Sequence, residues 1–188
     1  MIRTYLLPAL PNLISMGRLL AVPIAVWLIL SDRLAAAFWL FVAAGITDGV
    51  DGYVARRFGV RTLIGSYLDP IADKALLVSL YVTLGVQGHL PPWLIILVVS
   101  RDVLIVGGAI LYRMIAGKLT MQPLFISKIN TVAQIALVGV LLAELGLGWV
   151  YQPLTDLLTV IVGATPLLSG AAYLSIWGWR IARMEDGA

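Results

Sequence analysis

Apolar runs close to the roughly 20 residues that cross a bilayer as helix recur along this chain. That recurrence limits the fold more than any other feature. In hydrocarbon every backbone polar group must be satisfied within its own segment, so each run has a helix as its natural form. The chain has 188 residues, 61% of them hydrophobic, with a mean hydropathy of +0.98. Charged residues make up 12%, about half the share of a soluble domain. The expected fold is therefore all-α: a polytopic membrane protein with six transmembrane helices. They fall at about 11–30, 34–56, 62–86, 92–114, 125–145 and 151–180. Residues 1–10 read as a short interfacial segment, and 1–188 as a single membrane domain.

Turn chemistry and charge set the topology. Ser31, Asp32 and Arg33 make the first turn, and Gly88, Pro91 and Pro92 punctuate the third. Arg56, Arg57 and Arg61 fall in the second loop, Arg113 and Lys118 in the fourth, and Arg180 and Arg183 in the tail. The odd-numbered loops offer only Arg33. The positive-inside rule then makes the termini and the even loops cytoplasmic, as an even number of spans requires. The tryptophans lie mostly near span ends, where they anchor the interface. The net charge of +3 thus reports topology and gives no ground for a nucleic-acid partner. Absence of cysteine excludes a disulfide framework and a cysteine metal site. No cleavable signal peptide is expected. The lone His89 reads as a surface residue of an outer loop.

Four of the ten acidic residues, Asp48, Asp51, Asp69 and Asp73, cluster at the cytoplasmic ends of the second and third spans. Spacings of three and four put each pair on one helix face. The short loop between them makes the two helices antiparallel neighbours, so the pairs can meet. A carboxylate in hydrocarbon needs a bundle interior, a partner or a metal. Four that converge repel unless cations intervene. All-oxygen donors favour Mg²⁺ or Mn²⁺ over zinc, and two such ions about 4 Å apart can clamp a phosphoryl transfer. Gly52, Ala55 and Gly65 allow close approach of helices or ligand, and Arg56, one turn beyond Gly52, can hold a phosphate. Any one of these aspartates alone would as readily face water or an arginine; the ordered set is what points to chemistry. An ion transporter or channel is the reading from another class. It accounts for the carboxylates but not for the ordered glycine, alanine and arginine positions.

Further polar residues interrupt the apolar helices. Asn12 and Arg18 lie on the first, Arg101 and Asp102 on the fourth, and Ser127, Lys128 and Asn130 open the fifth. Asn12, Arg18, Arg101 and Lys128 are candidate contacts for a phosphate on an acceptor. Arg101 can equally pair with a neighbouring acid, and Lys128 can snorkel to the interface.

The order Asp48-x2-Asp51-Gly52-x2-Ala55-Arg56-x8-Gly65-x3-Asp69-x3-Asp73 resembles the CDP-alcohol phosphotransferase motif at every fixed position. The resemblance extends over most of the chain. It implies an integral-membrane enzyme that moves a phosphatidyl or substituted phosphoryl group from a CDP-linked donor to an alcohol and releases CMP. It implies a site with two metal ions, Mg²⁺ or Mn²⁺. Asp48, Asp51 and Asp69 would be metal ligands, and Asp73 the general base with a share in metal binding. Asp48, Gly52, Ala55, Arg56 and Gly65 would line the CDP site. A homodimer is implied as well. The charge bias of the loops puts the site toward the cytoplasm, at the plasma membrane in a bacterium. Within the family, Ser100–Arg113 and Ile126–Ile135 look like the corresponding segments of CMP-forming cardiolipin synthases. These use CDP-diacylglycerol and phosphatidylglycerol. Phosphatidylglycerophosphate synthases, which use glycerol 3-phosphate, more often carry Arg-Glu and Gly-Lys-x-Lys-Thr there. This chain has Arg101-Asp102 and Ser127-Lys128-Ile129-Asn130-Thr131. The expectation is the former reaction, with the latter as the alternative.

Overall fold

A computed structural model describes the backbone of residues 2–58, 63–116, 125–149 and 151–185. It describes side-chain surroundings over 16–50, 72, 74–104, 107, 128–149 and 151–168. Among the described residues there are six α-helices and no strand. They are α1 (Ile2–Leu30), α2 (Leu34–Phe58), α3 (Leu63–Val86), α4 (Pro92–Ala116), α5 (Phe125–Leu147) and α6 (Gln152–Glu185). The ends of α2 to α5 fall within two residues of the sequence expectation. Helix α1 begins at Ile2, so residues 2–10 join the expected span as one helix.

The junctions that could be read from turn residues close in the way those residues dictate. After α1, Arg33 N–H donates to Leu28 O at 2.8 Å and Asp32 N–H to Ile29 O at 3.0 Å. This is the bond pair that ends a helix on a left-handed residue. Asp32 is that residue, at φ 61°, a conformation its short polar side chain tolerates. After α3, Gly88 takes the same role at φ 80°, with His89 N–H donating to Leu84 O at 2.9 Å. Pro92 then opens α4, where its missing N–H leaves nothing unsatisfied. Gln87 Nε2 donates to Ile29 O at 2.8 Å. The end of α3 thereby satisfies a carbonyl at the end of α1.

The chain divides into two compact units, Met1–Leu90 with Val138–Tyr151, and Pro91–Leu137 with Gln152–Ala188. In the first unit α1 packs on both α2 and α3. Buried positions recur three, four or seven apart: Ala21, Ala25 and Leu28 on α1, Leu34, Ala37 and Ala44 on α2, and Ala72, Leu76, Leu80 and Leu84 on α3. Many are alanine, which lets backbones approach closely. The end of α5 belongs to this unit. A Cβ on Gly146 would lie 2.5 Å from Ala35 N, so glycine alone fits there. In the second unit α4 packs on α6, and Trp93 and Leu94 lie beside Gly163.

Large apolar side chains are turned outward. Trp27, Trp39, Val86, Trp93, Ile96, Val132, Trp149 and Leu157 are all exposed. So many large apolar side chains on the outside suit a hydrocarbon surround better than water. Among the described residues, Lys128–Leu147 is long and apolar enough to cross a membrane. Met16–Leu30, Leu34–Val50, Lys74–Val86 and Gln152–Leu168 are apolar but shorter. The end of α2 beyond Val50 and the start of α3 through Asp69 lie outside the described side chains.

Candidate active site

Hairpin register brings the first acid of the motif to a partner. Arg18 lies twelve residues before the end of α1, and Asp48 fourteen after the start of α2. At about 1.5 Å per residue both stand roughly 18–21 Å from the turn that joins the helices. Asp48 also continues the seam of α2, following Leu34, Ala37 and Ala44 at helical spacing. The result is a cross-helix ion pair, with Arg18 Nη2 2.7 Å from Asp48 Oδ1. The Arg18 side chain is 3% exposed and that of Asp48 48%. The guanidinium is thus buried in the seam while the carboxylate reaches out of it.

The surroundings are apolar and small. Gly17, Arg18, Ala21, Leu40, Ala43, Ala44 and Thr47 line an open groove of about 260 Å³ between α1 and α2. Thr47, just before Asp48, satisfies its hydroxyl within the helix, 2.9 Å from both Ala43 O and Ala44 O. Such back-bonding keeps a threonine in an apolar helix without an outside partner.

Of the expected metal ligands, Asp48 is described. The side chains of Asp51, Asp69 and Asp73, and of Gly52, Ala55, Arg56, Gly65 and Asn12, lie outside the described residues. Their backbones lie on α2, α3 and, for Asn12, α1. Helix α1 is a shared packing partner of the two acid-bearing helices. Among the described residues no group of three or more acids, histidines or cysteines converges. Asp48 itself fits a hard divalent ion. It offers carboxylate oxygen, which such ions prefer, and its half-exposed side chain has one oxygen at the guanidinium.

The other expected acceptor contacts sit in the second unit. Arg101 and Asp102 are both buried and bond to each other, Nη1 to Oδ1, at 2.7 Å. Lys128 is exposed. Asn130 and Gln134, one turn apart on α5, are fully buried. Thr165 Oγ1 lies 2.7 Å from Asn130 Oδ1 and 2.8 Å from Ile161 O, so a polar contact ties α5 to α6. Sequence reasoning passed over Thr165 and Gln134. The signal for Gln134 is a buried stripe on α5 whose first turns are polar where the rest is leucine, valine and alanine; Thr165, on α6, has no such signal of its own.

The family model for CDP-alcohol phosphatidyltransferase matches residues 8–168. A cardiolipin synthase (CMP-forming) and mitochondrial hydrolase fusion protein of Schizosaccharomyces pombe is 37% identical over 179 residues, covering 87% of this chain and 30% of that protein. The chloroplastic CDP-diacylglycerol–glycerol-3-phosphate 3-phosphatidyltransferase 1 of Oryza sativa is 35% identical over 184 residues, covering 87% and 55%. The Bacillus subtilis CDP-diacylglycerol–glycerol-3-phosphate 3-phosphatidyltransferase is 35% identical over 185 residues, covering 88% and 93%. The chain thus spans about half or less of the first two relatives and nearly all of the third.

Proposed function

The chain belongs to the CDP-alcohol phosphatidyltransferase family, and from that premise we propose that it transfers a phosphatidyl group from CDP-diacylglycerol to phosphatidylglycerol, releasing CMP. Membership favours group transfer over an ion path. It also brings a divalent-metal requirement, which the all-carboxylate set suits. Asp48, Asp51, Asp69 and Asp73 would hold two ions, Mg²⁺ or Mn²⁺. When bound, these supply charge neutralisation on the donor pyrophosphate and the departing CMP. Gly52, Ala55, Arg56 and Gly65 bind and orient the CDP group. Asp73 accepts the proton of the acceptor hydroxyl. The freed oxygen bonds to the phosphorus that carries the lipid as the bond to CMP breaks. We take residues 1–188 as one catalytic domain with six transmembrane helices, acting as a homodimer, its site toward the cytoplasm.

The observation that carries the choice of acceptor is the Arg101–Asp102 pair. A buried guanidinium already balanced by its neighbour at 2.7 Å adds no net charge for a phosphate monoester. Asn130, also buried, is neutral. Phosphatidylglycerol carries a single negative charge and asks less of such groups than glycerol 3-phosphate does. The second reading, transfer to glycerol 3-phosphate, is favoured by the Bacillus subtilis relative, which this chain matches over 93% of its length. The apolar groove beside Arg18 suits a lipid substrate in either case. Purified protein incubated with CDP-diacylglycerol, Mg²⁺ or Mn²⁺ and each acceptor separately decides between them. Cardiolipin from phosphatidylglycerol is the expected product. Phosphatidylglycerophosphate alone would install the second reading.

A further inference from the structure

Sequence places Arg18 among the acceptor contacts, yet its guanidinium is engaged elsewhere. Nη2 lies 2.7 Å from Asp48 Oδ1. We propose that Arg18 is a positioning residue for Asp48: it fixes the rotamer of the first acid of the motif and, through it, the affinity of the acid cluster for its divalent ions. The proposal rests on assigning the aspartates as divalent-ion ligands.

The two partners differ in a way that assigns their roles. Arg18 is 3% exposed and Asp48 48%. A buried cation is stable only while paired, so the guanidinium cannot swing out to a mobile headgroup without losing both burial and partner. Its planar fork is pre-organised and loses little freedom in holding a carboxylate. The half-exposed carboxylate is therefore the presented group and the guanidinium its anchor. Gly17 and Ala21 on one side, and Ala43 and Ala44 on the other, line the groove at this point. Such apolar walls lower the local dielectric and strengthen the contact. An outer partner of this kind sets the direction of a metal-binding carboxylate, and its loss weakens metal affinity about 10–100-fold.

The test is Mn²⁺ binding to the purified full chain in detergent, followed by the resonance signal of free Mn²⁺, beside kcat and the acceptor KM. Arg18→Gln leaves behind a half-exposed carboxylate that water can solvate, so the fold should persist. The expected result is Mn²⁺ binding about 10–100-fold weaker and a lower kcat, with acceptor KM unchanged. Arg18→Lys, which keeps the charge but not the fork, should recover part of both losses. Unchanged Mn²⁺ affinity with a raised acceptor KM would overturn the proposal and return Arg18 to the acceptor. Should Arg18→Gln fail to fold, Arg18→Lys alone decides on the same readouts. Wild-type protein that binds no Mn²⁺ would remove the aspartate assignment and this proposal with it. Wild-type protein that binds Mn²⁺ but releases no CMP would remove the reaction alone, and the Mn²⁺ comparison would still judge Arg18.

Discussion

Two arginine–aspartate pairs, each 2.7 Å long, sit in this chain in opposite circumstances. Arg18 and Asp48 come from different helices, and the carboxylate is half-exposed. Arg101 and Asp102 are sequence neighbours on α4 and both are buried. The first pair joins two elements and leaves an oxygen-bearing group open to a further ligand. The second joins two neighbours on one helix and keeps its acid buried. Identical chemistry thus serves presentation in one place and neutralisation in the other. The discriminating quantity is the exposure of the acid.

The sharpest way to break this contrast is Asp48→Asn. The amide keeps an oxygen beside Arg18 but loses the charge a divalent ion needs. CMP release should fall at least about a thousandfold, the several kcal/mol that metal-assisted charge stabilisation is worth, while the melting midpoint in detergent moves little. Retained turnover would reduce Asp48 to a structural partner. Next is Asp102→Ala, which takes away the carboxylate beside a buried guanidinium. It should cost about 3–5 kcal/mol in denaturant unfolding. Arg101→Met with Asp102→Leu should return stability to near wild type, because a buried pair replaced by apolar side chains of similar volume is often neutral or better. A double variant as unstable as the single one would show that the pair contributes more than neutrality. The smallest effect is Thr165→Val, which removes a neutral link between α5 and α6. Within a membrane such a contact is worth about 0.6–1.7 kcal/mol. A cost as large as that of Asp102→Ala would place Asn130 among the charged groups in importance.

Helix limits were legible because they rest on local chemistry. Pro92 opens α4, Gly88 closes α3 and apolar length sets the rest, so the ends of α2 to α5 moved by no more than two residues. The partner of Arg18 was not read, although the signal was present. Counting residues outward from the Ser31–Arg33 turn brings positions 18 and 48 level. Sequence spacing groups residues along one helix and says nothing of the facing one until the turn is used as an origin. The Asn130–Thr165 contact, 35 residues apart, had no such origin. A polar side chain on an apolar helix can face any neighbour, and the choice is made by packing. The division into two compact units was equally illegible, because α5 is continuous in sequence yet contributes to both.

Bulky apolar side chains turned outward have a practical corollary. After extraction they are covered by amphiphile rather than by water, so the surrounding amphiphile becomes part of the folding equilibrium. A melting temperature measured after extraction belongs jointly to the polypeptide and its micelle. Changing surfactant chain length should shift it as surely as changing an amino acid does.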